Sequence, residues 1–410
     1  MLATSRRVKT TMSIWRRGLW RYRLTTASVV LAAFGTSTAL NSPPVVLSVV
    51  AAAAGVLVST LEIRANRRRA RAVRFQPRDA DTYRDIAEHA SDLGRVLESA
   101  RNIGIVMTDA SVRLRQQAVA VDPVISEYVL HRDLKPWSFD FLARQARRAV
   151  MHNAAVLGLG SDLPGEGDDG VVVLRSAHYF DFFCSNVLVP YDVCEVGRRN
   201  LALRGRDLIV DRHGRLRTFR NSRLANIIGV STLAFTSDGQ LLLVAQTRDN
   251  VGSPGLLAPS GSGSLEPQDV SPQSTPTLQE IIRTGAEREL REECHINSAE
   301  IEGSDLLGYG RWLSRGATPE FCAVTFLNVA GDQLVARAVR RTERPYVGEV
   351  MAVDLTPAAD WDLHHPVGIL PPDIRHAASW PLAFALSCLA ERMGDDSWPA
   401  GKELAARLDQ

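Results

Sequence analysis

Lysine is nearly missing from this sequence. It occurs at Lys9, Lys135 and Lys402, although lysine and arginine together number 48. A skew this general reads as coding bias, not as a site. Cysteine is also sparse: the five cysteines never fall in a C-x-x-C pair, which excludes a zinc knuckle or disulfide framework and fits a reducing compartment. No internal repeat and no long low-complexity tract is present, so solenoids and arrays are out. Acid is almost absent from the first 78 residues, where Glu62 stands alone against fourteen basic residues, whereas the whole chain carries only +2. A basic head on an acidic body points to a membrane or polyanion contact at the head. The rest is ordinary: 410 residues, 45% hydrophobic and 23% charged. That is enough for two or three globular domains and excludes wholesale disorder, collagen and a polytopic transporter.

Charge is wholly absent between Arg23 and Glu62. Two mostly apolar runs of 17 residues, Leu24–Leu40 and Val45–Leu61, fill this gap. Each spans about 25 Å as a helix, at the short end of what crosses a bilayer core of about 30 Å. Asn41-Ser42-Pro43-Pro44 between them is a turn that neither helix can run through. Arginines flank both outer ends, and Trp15, Trp20 and Tyr22 sit where an interfacial belt would. The expectation is a two-pass membrane hairpin, with both termini cytoplasmic and the lipid bilayer as a partner. Two readings are weaker: an export signal starting at Ser5-Arg6-Arg7, because a second apolar run with its own basic stop follows directly, and a buried soluble helical hairpin, because fourteen flanking positive charges are hard to place around a soluble core. Ala32, Ala33 and Gly35 in the first run, and Ala51–Ala54 with Gly55 in the second, let helices approach closely, so a homo-oligomer is expected.

Beyond the head, the spacing predicts an amphipathic helix over residues 79–101, weak strands within 105–135 and a helical stretch from Trp137 to Leu157. These form a connector and pre-domain over 79–170. Residues 162–170 read as a loop, Val171–Arg175 as a strand and Tyr179–Phe183 as core aromatics. A main domain is expected over 171–395, with a tail over 396–410. Ile227–Phe235 and Gln240–Gln246 read as strands of a hairpin around Thr236-Ser237-Asp238-Gly239. A flexible Ser-Gly stretch, 258–265, comes next. A helix then starts at Thr277, where Thr277-x-x-Glu280 makes a capping box. Residues 306–313 and 321–329 read as further strands.

On that helix Glu289, Glu292 and Glu293 are spaced i, i+3, i+4 and share one face with Leu278, Ile281, Ile282 and Gly285. The face is apolar at its start, so it looks toward the body of the protein. Carboxylates gathered on such a face repel one another unless a cation intervenes. Hard oxygen donors on a rigid helix suit Mg²⁺ or Mn²⁺. Arg288 borders the cluster and can hold one carboxylate by a bidentate pair. Arg248, after the second strand, is a candidate phosphate contact. His364-His365 and the cluster Arg340, Arg341, Arg344 read as solvated turns, and Cys294 as a core thiol.

The string Glu280-x7-Arg288-Glu289-Leu290-x-Glu292-Glu293-x-His295-Ile296 resembles the Nudix box, G-x5-E-x7-R-E-U-x-E-E-x-G-U with U aliphatic. It matches at every charged and both aliphatic positions; Ser274 and His295 stand at the two glycines. The resemblance implies an α+β chain with a Nudix α/β/α sandwich and mixed sheet behind the hairpin and connector. It implies metal binding by Glu289, Glu292 and Glu293, one of which, or a water they position, activates the nucleophile. Glu280 and Arg288 would be supports, and Ser260, Gly261, Ser262 and Gly263 would form the ligand loop. More narrowly, Asn226–Val270 and the Tyr179-Phe180-Asp181 region are similar to the SMODS-associated Nudix domains of bacterial antiphage (CBASS) systems. That similarity implies an effector whose cytoplasmic domain binds a nucleotide or cyclic oligonucleotide while the hairpin compromises the membrane. The alternative is a membrane-tethered, Mg²⁺-dependent hydrolase of a nucleoside diphosphate linked to another moiety. No DNA or RNA partner is expected.

Overall fold

The computed structural model describes residues 56–62, 64–65, 73–147, 151–165, 170–195, 201–248, 250, 252–271, 276–337, 343, 346–356 and 361–408. Almost all of the expected membrane hairpin lies outside them. Among the described residues no helix is long and apolar enough to cross a membrane. The cluster Arg340, Arg341 and Arg344, and Ser274 at the first box glycine, also fall outside.

Among the described residues the structure is mixed α+β with three sheets. The largest has nine strands. From one edge it runs Leu257–Ala258, Leu241–Gln246, Gly229–Phe235, Thr318–Leu327, Ile301–Trp312, Asn102–Val106 and Arg95–Ser99. Gly261–Ser264 adds to Gly229–Phe235, and Val347–Val353 to Leu241–Gln246. The central pair, Gly229–Phe235 with Thr318–Leu327, is parallel and the other pairs of this sheet are antiparallel. Smaller three-stranded sheets are built from Val73–Pro77, Tyr191–Glu195 and Leu201–Leu203, and from Ser126–Glu127, Leu174–His178 and Ala155–Leu159.

Alternation along the central strands decides which helix covers which face. Leu233, Phe235, Leu241 and Leu243 pack with Trp380 and Phe384 of the helix Trp380–Met393. Stacking of Trp380 on Trp312 at 5.1 Å and on Phe384 at 5.3 Å fills that layer. On the opposite face, Val230 and Phe321 meet Ile281 and Ile282, and Leu242 and Val244 meet Leu290, all three on the helix Leu278–Glu293. The sheet is therefore held between two helical layers. Burying each of these side chains contributes about 1.5–3 kcal/mol.

Several local expectations are corrected. The helix expected over 79–101 ends at Glu88, and Arg95–Ser99 is a strand paired with Asn102–Val106. A side chain at Gly94 would lie 1.9 Å from the Val106 carbonyl oxygen, so the chain turns there at a close backbone contact. Residues 137–157 divide into the helix Lys135–Gln145 and the strand Ala155–Leu159. The strand expected at 171–175 is shifted to Leu174–His178. The turn after Phe235 is present, but its two strands part at once. They share one ladder pair, Leu241 with Phe235, because each strand finds a longer partner elsewhere. The Ser-Gly stretch read as flexible is an ordered strand, paired from Gly261 opposite Thr232 to Ser264 opposite Gly229.

Candidate functional site

The glutamate helix begins as its sequence dictates. Thr277 accepts from the Glu280 backbone N–H at 3.3 Å while the Thr277 N–H donates to Glu280 Oε2 at 2.7 Å, so Glu280 caps the helix. Sixteen residues later the helix stops, and His295 takes φ of 56°, the left-handed conformation that usually falls to glycine at a helix end. A histidine thus stands where the backbone shape favours glycine.

The Ser-Gly strand lies against the last two turns of this helix. A Cβ at Gly261 would lie 2.4 Å from the Leu290 nitrogen, and one at Gly263 would lie 2.1 Å from Glu289 Oε1. Only glycine permits that approach. It brings the Ser262 N–H within 3.0 Å of Glu293 Oε2. Ser260 turns the other way: fully buried, it accepts from the Ala234 N–H at 2.7 Å and donates to the Leu242 carbonyl at 2.5 Å. It is framework, not ligand contact. Cys294 is a buried thiol donating to the Ser260 carbonyl, as a core cysteine would.

Arg288 is the hub. Nε and Nη2 grip Asp269 at 2.8 and 3.0 Å, Nη2 also reaches the Ser264 carbonyl, and Nη1 donates to Glu289 Oε1 at 2.9 Å. The same Nη1 is 3.5 Å from Glu292 Oε2. The positive charge that these carboxylates need is therefore supplied in part by an arginine. Burial works against the guanidinium's charge, but Asp269 and Glu289 overcome it and hold Arg288 firmly protonated.

Glu289 and Glu293 line a cavity of about 220 Å³ with Ser262, Gly263, Glu266 and Glu343. Glu292 does not line it; its side chain is 42% exposed. Burial raises Glu289 to about 7 against the pull of Arg288. Burial, reinforced by repulsion from Glu289, pushes Glu293 well above the carboxylate range, against the Ser262 N–H. Glu266 is raised too, chiefly by burial. Among the described residues no three acidic, histidine or cysteine side chains converge closely enough to hold a metal ion as they stand. As a donor set they still fit a hard divalent cation. Oxygen ligands line a confined space, and the protonation that burial imposes on them would be displaced by positive charge.

Ser262, Gly263, Ser264 and Tyr179 also line an adjoining cavity of about 140 Å³. Its far wall was invisible to sequence reasoning. Arg315 lies over the Phe182 ring at 5.1 Å and the Trp312 ring at 4.8 Å. Glu320 is 6% exposed, has no hydrogen-bond partner among the described residues and is raised by burial to about 8 against Arg315. Gln246 Oε1 is likewise buried without a partner. A buried amide oxygen without a partner, a buried carboxyl and an arginine on aromatic rings are what a planar, hydrogen-bonding ligand would satisfy. Tyr179 and Phe182, read as core aromatics, sit on the helix Tyr179–Cys184 and contribute to this wall.

Arg248 lines neither cavity and lies exposed on a turn beside Gly255. His364 and His365 are exposed, and His365 pairs with Asp362 at 2.8 Å. All five cysteines are free thiols.

No protein-family model matches the chain, and no curated protein matches it. Solved structures with partial similarity include the DR0079 protein of Deinococcus radiodurans, 20% identical, covering 39% of this chain and 80% of its own, with a TM-score of 0.25. Another is a MutT protein from Methanosarcina mazei, 16% identical, covering 45% of this chain and 92% of its own, with a TM-score of 0.22. Likeness at that level carries no functional inference, which has to come from the geometry of the two cavities.

Proposed function

We propose that the chain is a nucleotide hydrolase of the Nudix type, cleaving a nucleoside diphosphate linked to another moiety. The observation that carries this reading is the double cavity: a carboxylate lobe lined by Glu289 and Glu293 opens beside an aromatic lobe lined by Arg315, Phe182 and Glu320. The Ser262–Ser264 wall is common to both. A diphosphate would lie in the first lobe and a base in the second.

Mg²⁺ or Mn²⁺ bound in the carboxylate lobe would screen phosphate charge and acidify water. Glu289 and Glu293 would hold it, with Glu266 and Glu343 at the rim. Arg288 Nη1 fixes the orientation of the Glu289 carboxylate, so that it would hold the cation and position the attacking water beside it. Arg315 stacks and Glu320, protonated at neutral pH, offers an O–H to a base acceptor.

This body is proposed to hang from a two-pass hairpin on the cytoplasmic face of a bacterial inner membrane. Residues 56–62, the end of the second apolar run, are helical, with Val56 67%, Leu57 61% and Leu61 54% exposed. An apolar helical face left exposed among the described residues supports lipid contact. That observation also supports a second reading, in which the nucleotide acts as a signal in an antiphage system and oligomerised hairpins damage the membrane.

Turnover separates the two. Full-length protein with Mg²⁺ should cleave members of a panel of nucleoside diphosphate conjugates, and Glu293→Gln should lower kcat at least a hundredfold. Ligand binding without cleavage, coupled to dye leakage from liposomes carrying the protein, would overturn the hydrolase in favour of the effector.

A further inference from the structure

A separate cavity of about 730 Å³ lies between the end of the strand Val73–Pro77 and the turns around Arg206–Leu208 and 211–217, lined by Arg78, Arg204, Arg206, Arg212 and Arg217. It shares no residue with the carboxylate or aromatic lobes. Five guanidiniums around one opening repel unless anions offset them.

The walls hold three carboxylates, and two are already engaged. Asp192 accepts from Arg78 Nε at 2.9 Å and from the Gly205 N–H at 3.1 Å. Asp211 accepts the His213 and Arg215 backbone N–H groups at 2.8 and 3.0 Å. Asp207 lies exposed at the rim. Arg206 is paired outside the cavity wall, with Asp85 at 2.9 Å. Arg204, Arg212 and Arg217 have no carboxylate partner among the described residues: Arg212 Nε meets the His213 ring at 3.0 Å, and Arg217 Nε only the Asp207 carbonyl at 3.4 Å. Five arginines therefore line a common space against three aspartates, and Arg204, Arg212 and Arg217 have no direct ion-pair partner among the described residues, so the opening carries an excess of positive charge.

We propose that this cavity is a second binding site, for a phosphate-bearing anion. The planar guanidinium fork matches phosphate oxygens in bidentate fashion, and three forks around one opening select a ligand with more than one anionic oxygen pair. Two sources carry that chemistry: a free nucleotide or the headgroup of an anionic lipid.

The test uses the full-length chain in mild detergent with EDTA, so that the carboxylate lobe has no cation and repels phosphate. Calorimetric titration with ADP reports the free-nucleotide source. Titration with glycerophosphoglycerol, the deacylated headgroup of phosphatidylglycerol, reports the lipid source. At least one should bind, more weakly at high salt. Arg204→Gln with Arg217→Gln should lower that affinity tenfold or more, while Arg220→Gln, an exposed arginine outside the cavity, should leave it unchanged. Arg212→Gln, on an exposed turn, gives an independent loss should the double variant fold poorly. Binding of neither probe, or affinity unchanged in both Arg204→Gln/Arg217→Gln and Arg212→Gln, would overturn the proposal.

Discussion

Arg288 and Asp269 meet fork to fork, with their side chains 7% and 1% exposed, and this one pair ties the glutamate helix to the turn that ends the Ser-Gly strand. The same guanidinium aims Glu289 into the cavity through Nη1. Packing of the strand on the helix and orientation of the Glu289 carboxylate thus depend on a single side chain.

Removing either partner leaves a buried charge uncompensated. Asp269→Asn or Arg288→Leu should cost about 3–5 kcal/mol of stability. Urea denaturation checks this, and a midpoint within error of the parent would show the pair to be dispensable. Arg288→Lys should fold better than Arg288→Leu yet lose turnover, because an ammonium cannot hold Asp269 and Glu289 together.

The two strand glycines should fail differently. At Gly261 an added methyl meets helix backbone at Leu290, so Gly261→Ala should destabilise by about 1–3 kcal/mol. At Gly263 it meets the movable Glu289 carboxylate, so Gly263→Ala should cost little stability and most of the activity. Melting curves and kcat measured on both variants test the contrast.

His295 holds a left-handed backbone without being glycine. His295→Gly should therefore raise stability by up to about 1 kcal/mol, the relief of φ > 0 outweighing the added freedom of the unfolded chain. A lower melting temperature would contradict this.

The helix and its acids were legible because their signals are local: a capping box, a three-to-four spacing and a charged stripe. Other features depend on pairing partners distant in sequence. Glycine and serine at 258–265 read as flexibility, yet the strand opposite and the approaching helix require that lack of side chains. Arg95–Ser99 continues a helical spacing that its ladder to Asn102–Val106 overrides. Arg315 and Glu320 carry no motif; the parallel register that sets Glu320 opposite Gly229 turns a lone glutamate into part of a wall. Glu266 and Glu343, distant from the glutamate helix in sequence, join the carboxylate lobe only in the folded chain. The arginine-on-ring contacts with Phe182 likewise exist only in the folded chain.

Glu320 also fixes a pH dependence. Its carboxyl ionises near 4.5 when solvated and at about 8 in the fold, where burial opposes the charge. Between those values the native state binds a proton that the unfolded state has lost, so stability is highest below the lower value and declines as pH rises toward the upper one. Glu320→Gln should flatten this limb of the melting temperature against pH. A slope unchanged in the variant would mean that Glu320 is already ionised at neutral pH.

Cation binding in the carboxylate lobe is most directly measured by titrating Mn²⁺ into the full-length chain and following free Mn²⁺ by electron paramagnetic resonance. The parent should retain bound Mn²⁺, Glu289→Gln with Glu293→Gln should lose it, and Glu292→Gln should lose little, since Glu292 stands outside the cavity. No bound Mn²⁺ in the parent, or equal binding in the double variant, would contradict the assignment of this lobe as the catalytic centre.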